Sequence, residues 1–217
     1  MRMFTFAFLK RARQYSLVVA FVLAAGPMQA RAQTANMTLR DPVIANFGWC
    51  VSRLWPGRAL DLLGTRVGSE QEVRAALRLV RPWPCLQGRR GLTMRTGEVR
   101  GTVAEAMLER NHGWVARLRS REARPAIAAP VAEGRLFVAG YAQCLAEADP
   151  ANGIRLLETP HQSPEESAAI RGFGETLSAC MPEGYRYTVD PFDVRNHVAA
   201  RLYDMGRESR HAGQGAR

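Results

Sequence analysis

Lysine is almost missing from this chain: Lys10 is the only one, and every other basic residue is arginine. Histidine is scarce too, at four residues, none of them in an H-x-x-H or H-E-x-x-H arrangement, and the four cysteines include no C-x-x-C pair. Those absences exclude the common zinc patterns, which need ligands at such spacings. No G-x-S-x-G turn is present, so no serine-hydrolase elbow is expected. Gly172-Phe173-Gly174 lacks the third glycine and the preceding strand that a phosphate-binding loop requires. No cofactor and no metal site are expected. Beyond residue 32 no apolar run approaches the roughly 20 residues of a membrane-spanning helix. The basic charge comes with no recognition motif, so no nucleic-acid partner is expected.

What is present begins with an export signature. Lys10, Arg11 and Arg13 flank an apolar run from Leu17 to Gly26, and Ala30-Arg31-Ala32 offers a small-residue cleavage site. Residues 1–32 are therefore expected to be a cleaved signal peptide, and the mature chain to be periplasmic or secreted. Removing them takes away five basic residues and leaves 25 arginines against 20 acids, a net charge of +5. Divided at Arg124, the mature chain carries 16 arginines against 8 acids in its first part and 9 against 12 in its second. An oxidising compartment and an even number of cysteines imply disulfides.

The strongest internal signal is a duplication. Laying Cys50 on Cys144 brings Pro56 onto Pro150, Leu62-Leu63 onto Leu156-Leu157, Thr65 onto Thr159, Ser69 onto Ser163 and Glu72 onto Glu166 without a gap. After one extra residue in the second copy, Cys85 meets Cys180 and Glu98-Val99-Arg100 meets Asp193-Val194-Arg195. Four cysteines allow three pairings; the alignment favours Cys50 with Cys85 and Cys144 with Cys180, separations of 35 and 36. Closing a loop of that size is worth roughly 4 kcal/mol in the chain-entropy model.

Helical spacing dominates each copy. Val43, Phe47, Cys50 and Leu54 make one stripe, and Phe137, Tyr141 and Cys144 another. Trp55 and Asp149 each precede a proline that ends one helix and suits the first turn of the next. Ser69 to Glu72 and Ser163 to Glu166 fit the capping box. Val73, Ala76, Leu77 and Val80 read as the inward stripe that follows, matched by Ile170, Phe173, Gly174 and Leu177. A fourth helix carries Val99, Val103 and Met107, or Val194, Val198 and Leu202. One short extended segment per copy is allowed, over Leu92-Thr93-Met94 and Tyr185 to Val189. The expected fold is all-α: a tandem duplication of a disulfide-stapled unit of about four helices. Its parts are a first helical repeat over 33–113, a linker over 114–135, a second repeat over 136–206 and a disordered tail over 207–217.

The matched polar residues read mostly as scaffold. Glu72 and Glu166 cap helices, while Glu98 and Asp193 suit the positive end of a helix dipole. Arg100 and Arg195 each follow an inward valine and serve either as a clasp onto a carboxylate or carbonyl of their own copy or as a ligand contact. His112, His161, His197 and His211 are read as structural. Trp49, Trp55, Trp83 and Trp114 all fall in the first half, where they line either the contact between copies or a partner surface.

Phe47-Gly48-Trp49-Cys50-Val51, Leu62-Leu63 followed by Gly68-Ser69, Pro84-Cys85-Leu86 and Arg100-Gly101-Thr102-Val103-Ala104-Glu105-Ala106 carry a resemblance. On these residues the chain resembles secreted two-repeat proteins of sphingomonad-like alphaproteobacteria, a family that brings no activity with it. The resemblance implies secretion and duplication; the second copy departs from it at Asn196 and Ala200, where the first has glycine and glutamate. The expected function is a non-catalytic periplasmic or secreted protein that binds another macromolecule, an envelope protein or an anionic polymer. The alternative is an enzyme acting on envelope polymers or peptides between the copies. A cleft with convergent carboxylates or a histidine-carboxylate pair favours the enzyme; a closed interface beside a flat, basic, tryptophan-bearing face favours binding.

Overall fold

A computed structural model describes residues 41–80, 83–87, 93–129, 134–186, 188 and 190–214. The expected signal peptide lies outside them, as does part of each segment allowed to be extended. The described residues form ten α-helices, one 3-10 turn and no strand. In order these are α1 (Asp41–Leu54), α2 (Pro56–Leu63), α3 (Glu70–Val80), the 3-10 turn Trp83–Leu86, α4 (Thr96–Glu109), α5 (His112–Arg119), α6 (Gly134–Ala148), α7 (Pro150–Leu157), α8 (Pro164–Arg171), α9 (Glu175–Ala179) and α10 (Pro191–Gln214). The fold is all-α. Disulfides join Cys50 to Cys85 and Cys144 to Cys180, the expected pairs. None of these helices is long and apolar enough to cross a membrane.

The helices α4 and α10 pair at the centre, with α1 packed on the outer side of α4 and α6 on the outer side of α10. Sandwiched this way, α4 is buried on all sides: every residue from Gly97 to Ala106 is inaccessible, polar ones included. The close approach depends on missing side chains. A Cβ at Gly101 would lie 2.3 Å from Asn196 Oδ1 and 2.5 Å from its Cα, and one at Gly48 would lie 2.3 Å from the Thr102 carbonyl oxygen. The short helices α2 and α7 supply Leu62, Leu63, Ile154 and Leu156, all buried. Each such leucine or isoleucine contributes about 1.5–3 kcal/mol.

Helix starts follow the local chemistry. Asp149 accepts the Asn152 N–H at 2.9 Å before Pro150, whereas Trp55, its counterpart before Pro56, has no capping oxygen. Ser69 and Ser163 accept the N–H groups of Glu72 and Glu166. The returning carboxylates bond one residue further back than in the standard capping box, to the N–H of Gly68 and Gln162 at 2.8 Å each.

Three expectations are corrected. The buried stripe of α3 is Glu72, Ala75, Ala76 and Leu79, while Val73 and Leu77 face out at 40% and 58% exposure. Burial of the charged Glu72 rotates the helix one residue away from the all-apolar phase. For the same reason of phase, α1 buries Ile44, Phe47 and Val51 and leaves Leu54 outside. The stretch that aligns with α3 is two helices, α8 and α9, broken around Gly174, whose φ of +53° ends the helical path. The helix α10 itself runs through Gln214, into the stretch expected as a tail. Arg201 bonds Glu208 at 2.9 Å across two turns and Gly206 lies beneath the Trp114 ring, so the helix has packing and charge to continue on.

Candidate functional site

The two arginines singled out from sequence are both inside. Arg100, 2% exposed, donates to the carbonyls of Leu62, Leu63 and Thr65 and to Thr65 Oγ1 at 2.8–3.1 Å, with Glu72 at 3.6 Å. These bonds satisfy the carbonyls that the C-terminal end of α2 leaves open. Arg195, 1% exposed, does the same for α7: it donates to Leu156 O, Leu157 O and Thr159 Oγ1, and to Glu166 at 3.0 Å. Both are clasps that spend their donors on their own half of the chain.

Arg195 does one thing more. Its Nε and Nη2 meet the two oxygens of Glu105 on α4, at 3.1 and 2.6 Å. This fork ties α4 to α10 in the interior. Burial works against the Arg195 charge, but Glu105 and Glu166 outweigh it and hold its pKa above the ordinary arginine value. For Arg100 burial prevails over Glu72 and the pKa is lowered. No acceptor meets Arg100 Nε among the described residues.

Glu105 also lines a cavity of about 570 Å³. One wall is α4 and α5, through Ala106, Leu108, Glu109, His112 and Val115; the other is α7 and the loop after it, through Ile154, Leu157 and Glu158 to His161; Trp49 of α1 completes the lining. The volume is that of a small-molecule or side-chain site. His161 Nε2 lies 3.6 Å from Glu105 Oε1. Glu158 pairs with Arg119 of α5 across the rim. Glu109, one turn beyond Glu105, has its pKa raised by burial and then by the Glu105 charge.

No family model, no curated protein and no solved structure matches the chain. The site therefore rests on its own geometry.

The tryptophans separate. Trp49, 49% exposed, borders the cavity with Arg53 stacked 5.2 Å from its ring centre. Trp55 is half-buried against the core, and Trp114 tilts onto Tyr203 at 5.6 Å. The side chain of Trp83 lies outside the described residues. Sequence reasoning read His112 and His161 as structural and gave Glu105 and Glu109 no role. The available signal was a difference: the alignment that matches Arg100 with Arg195 sets Glu105 against Ala200 and Leu108 against Tyr203. Among the described residues no three histidine, cysteine, aspartate or glutamate side chains gather to hold a metal.

Proposed function

We propose that this is an exported, non-catalytic protein, built by tandem duplication, that binds another macromolecule in the cleft between its halves. The observation that carries the reading is the cavity of about 570 Å³ walled by α4 and α5 on one side and α7 on the other. Two disulfides support export. Duplication is supported by the paired arginine clasps and by the crossing of α4 and α10, where Gly101 meets Asn196, the very residues the alignment sets opposite each other. A duplicated unit related by a two-fold brings equivalent positions together at its axis. The resemblance to secreted proteins of sphingomonad-like alphaproteobacteria belongs to this reading as well. Arg100 and Arg195 lie in the interior, so an anionic partner would rest on the other arginines of the basic first half.

The test is site-specific photo-crosslinking of the exported chain in its own compartment. A crosslinker at Glu109 or His112 is expected to give a discrete adduct, and one at the exposed Ile127 or Leu136 none; adducts from Ile127 or Leu136 alone would move the binding surface elsewhere.

An enzymatic reading has the same cleft in its favour: His112 and His161 line it with the carboxylates, and His161 Nε2 lies 3.6 Å from Glu105 Oε1, the histidine-carboxylate pair expected to favour an enzyme. Against it, both oxygens of Glu105 are held by Arg195 and Glu158 is paired with Arg119. That leaves Glu109 without the second free carboxylate that two-carboxylate glycoside hydrolysis uses. Incubation with peptidoglycan and with unfolded protein is expected to show no turnover; turnover lost in Glu109→Gln would reverse the choice.

A further inference from the structure

Resting on the binding reading above, we propose that the cleft receives a cationic side chain on an apolar stem, an arginine or lysine of a partner polypeptide, with Glu109 as its acceptor. The argument starts from the charges in the lining. Glu105, Glu109 and Glu158 face Arg195, His112 and His161. The Arg195 guanidinium is spent on Glu105, Glu166 and the α7 carbonyls, so it offers no donor to a ligand. Glu158 is taken by Arg119. Glu109 enters no hydrogen bond or ion pair among the described residues, although it stands in the same cavity. Glu109 is solvent-exposed while lining the cavity; Arg195 and His161 act on it through space without bonding it, so it remains an acceptor for an incoming cation and repels an anion.

The walls select for the stem. Ala106, Leu108, Val115, Ile154, Leu157 and Pro160 give the same cavity an apolar lining beside its carboxylates. Long basic side chains bury such a stem while keeping their charged head on an acceptor. A guanidinium or ammonium brought to Glu109 would also relieve the like charge that Glu105 imposes on it. The half of the chain without Glu105 lacks the arrangement: Ala200 stands at the aligned position and Tyr203 replaces Leu108.

The experiment uses the exported full chain and four peptide amides, acetyl-Ala-X-Ala with X arginine, lysine, norleucine or glutamate, titrated by calorimetry and by tryptophan fluorescence. Arginine and lysine peptides are expected to bind at least about tenfold more tightly than the norleucine peptide. In Glu109→Gln, with an unchanged melting temperature, that preference should vanish. Equal affinity for norleucine, or a preference for glutamate, overturns the cationic inference and leaves the binding cleft standing. Absence of binding by all four peptides overturns it too. If crosslinking at Glu109 then still gives an adduct, only the ligand class was wrong; if it gives none, the binding reading falls as well.

Discussion

Arg100 and Arg195 occupy aligned positions, clasp aligned carbonyls and are equally buried, yet their charges are supported differently. Arg195 meets two carboxylates within 3.1 Å, one from each half of the molecule. Arg100 meets one, Glu72, at 3.6 Å, and keeps an unbonded Nε. The pKa directions agree with this, raised for Arg195 and lowered for Arg100. One scaffold thus holds a satisfied and an under-satisfied version of the same clasp. The additional carboxylate of the satisfied version, Glu105, also builds the cleft. On the duplication reading proposed above, the cleft lies where the halves differ, at Glu105 against Ala200.

The sharpest way to break the comparison is to delete each guanidinium. Arg195→Leu strands Glu105 and Glu166 in the interior, and a loss of about 3–5 kcal/mol is expected. Arg100→Leu strands one carboxylate and removes an orphan, so its cost should be lower, roughly 2–3 kcal/mol. Urea unfolding of the two variants measures the gap; equal losses would mean that Glu105 adds nothing. A gentler version makes Arg195 resemble Arg100. Glu105→Ala should cost about 2 kcal/mol, because it frees two buried guanidinium donors.

Next in size is the axis itself. Gly101→Ala forces α4 and α10 apart, since the new methyl would fall 2.5 Å from the Asn196 Cα. A loss of about 1–3 kcal/mol is expected. Gly57→Ala, where a Cβ would meet nothing within 4 Å, is the control and should be neutral or mildly stabilising. Thermal melts of the pair separate the crowding at the axis from any general effect of losing glycine.

The smallest effect concerns Asp204, which the alignment sets opposite Glu109. Burial raises its pKa despite Arg100, Arg207 and Arg201 nearby, with Glu208 adding to the rise. A carboxyl raised on folding contributes stability that is present below its unfolded pKa, near 4, and is lost as pH rises through the folded value. Asp204→Asn should therefore melt slightly higher than the parent at pH 7, and the difference should shrink in acid. Melting curves across that range check the sign.

Much of the scaffold was legible from sequence because its signals are local or paired. Proline after Trp55 and Asp149, serine three residues before glutamate and cysteines at matched separations each name a helix boundary or a staple. The helix phases of α1 and α3 were less legible. A stripe count assumes that apolar residues turn inward, and at Glu72 a charged side chain took the inward place because Arg100 and the Gly68 N–H waited for it. The cleft was hidden for another reason. Glu105 and His161 lie 56 residues apart by number and meet only when the loop after α7 is brought against α4. Treated singly, each looked like an ordinary helix or loop residue. The mismatch of Glu105 with Ala200 was visible, but only a structure says that this position faces Arg195 and a cavity.

The expected linker, 114–135, takes in most of α5 and the chain that follows it. Within it the Arg124 N–H bonds Ala148 O at 2.8 Å and the Ala129 N–H bonds Cys180 O at 3.0 Å, so this stretch is a strap. The second of these bonds ends on a disulfide cysteine, so the strap is anchored to a part of the molecule that is itself covalently pinned. With α5 also packed on both α7 and α10, the walls of the cleft are tied to the strap as well as to the helices behind them. On the binding reading proposed above, a guest would meet walls that are already cross-tied to both halves of the chain.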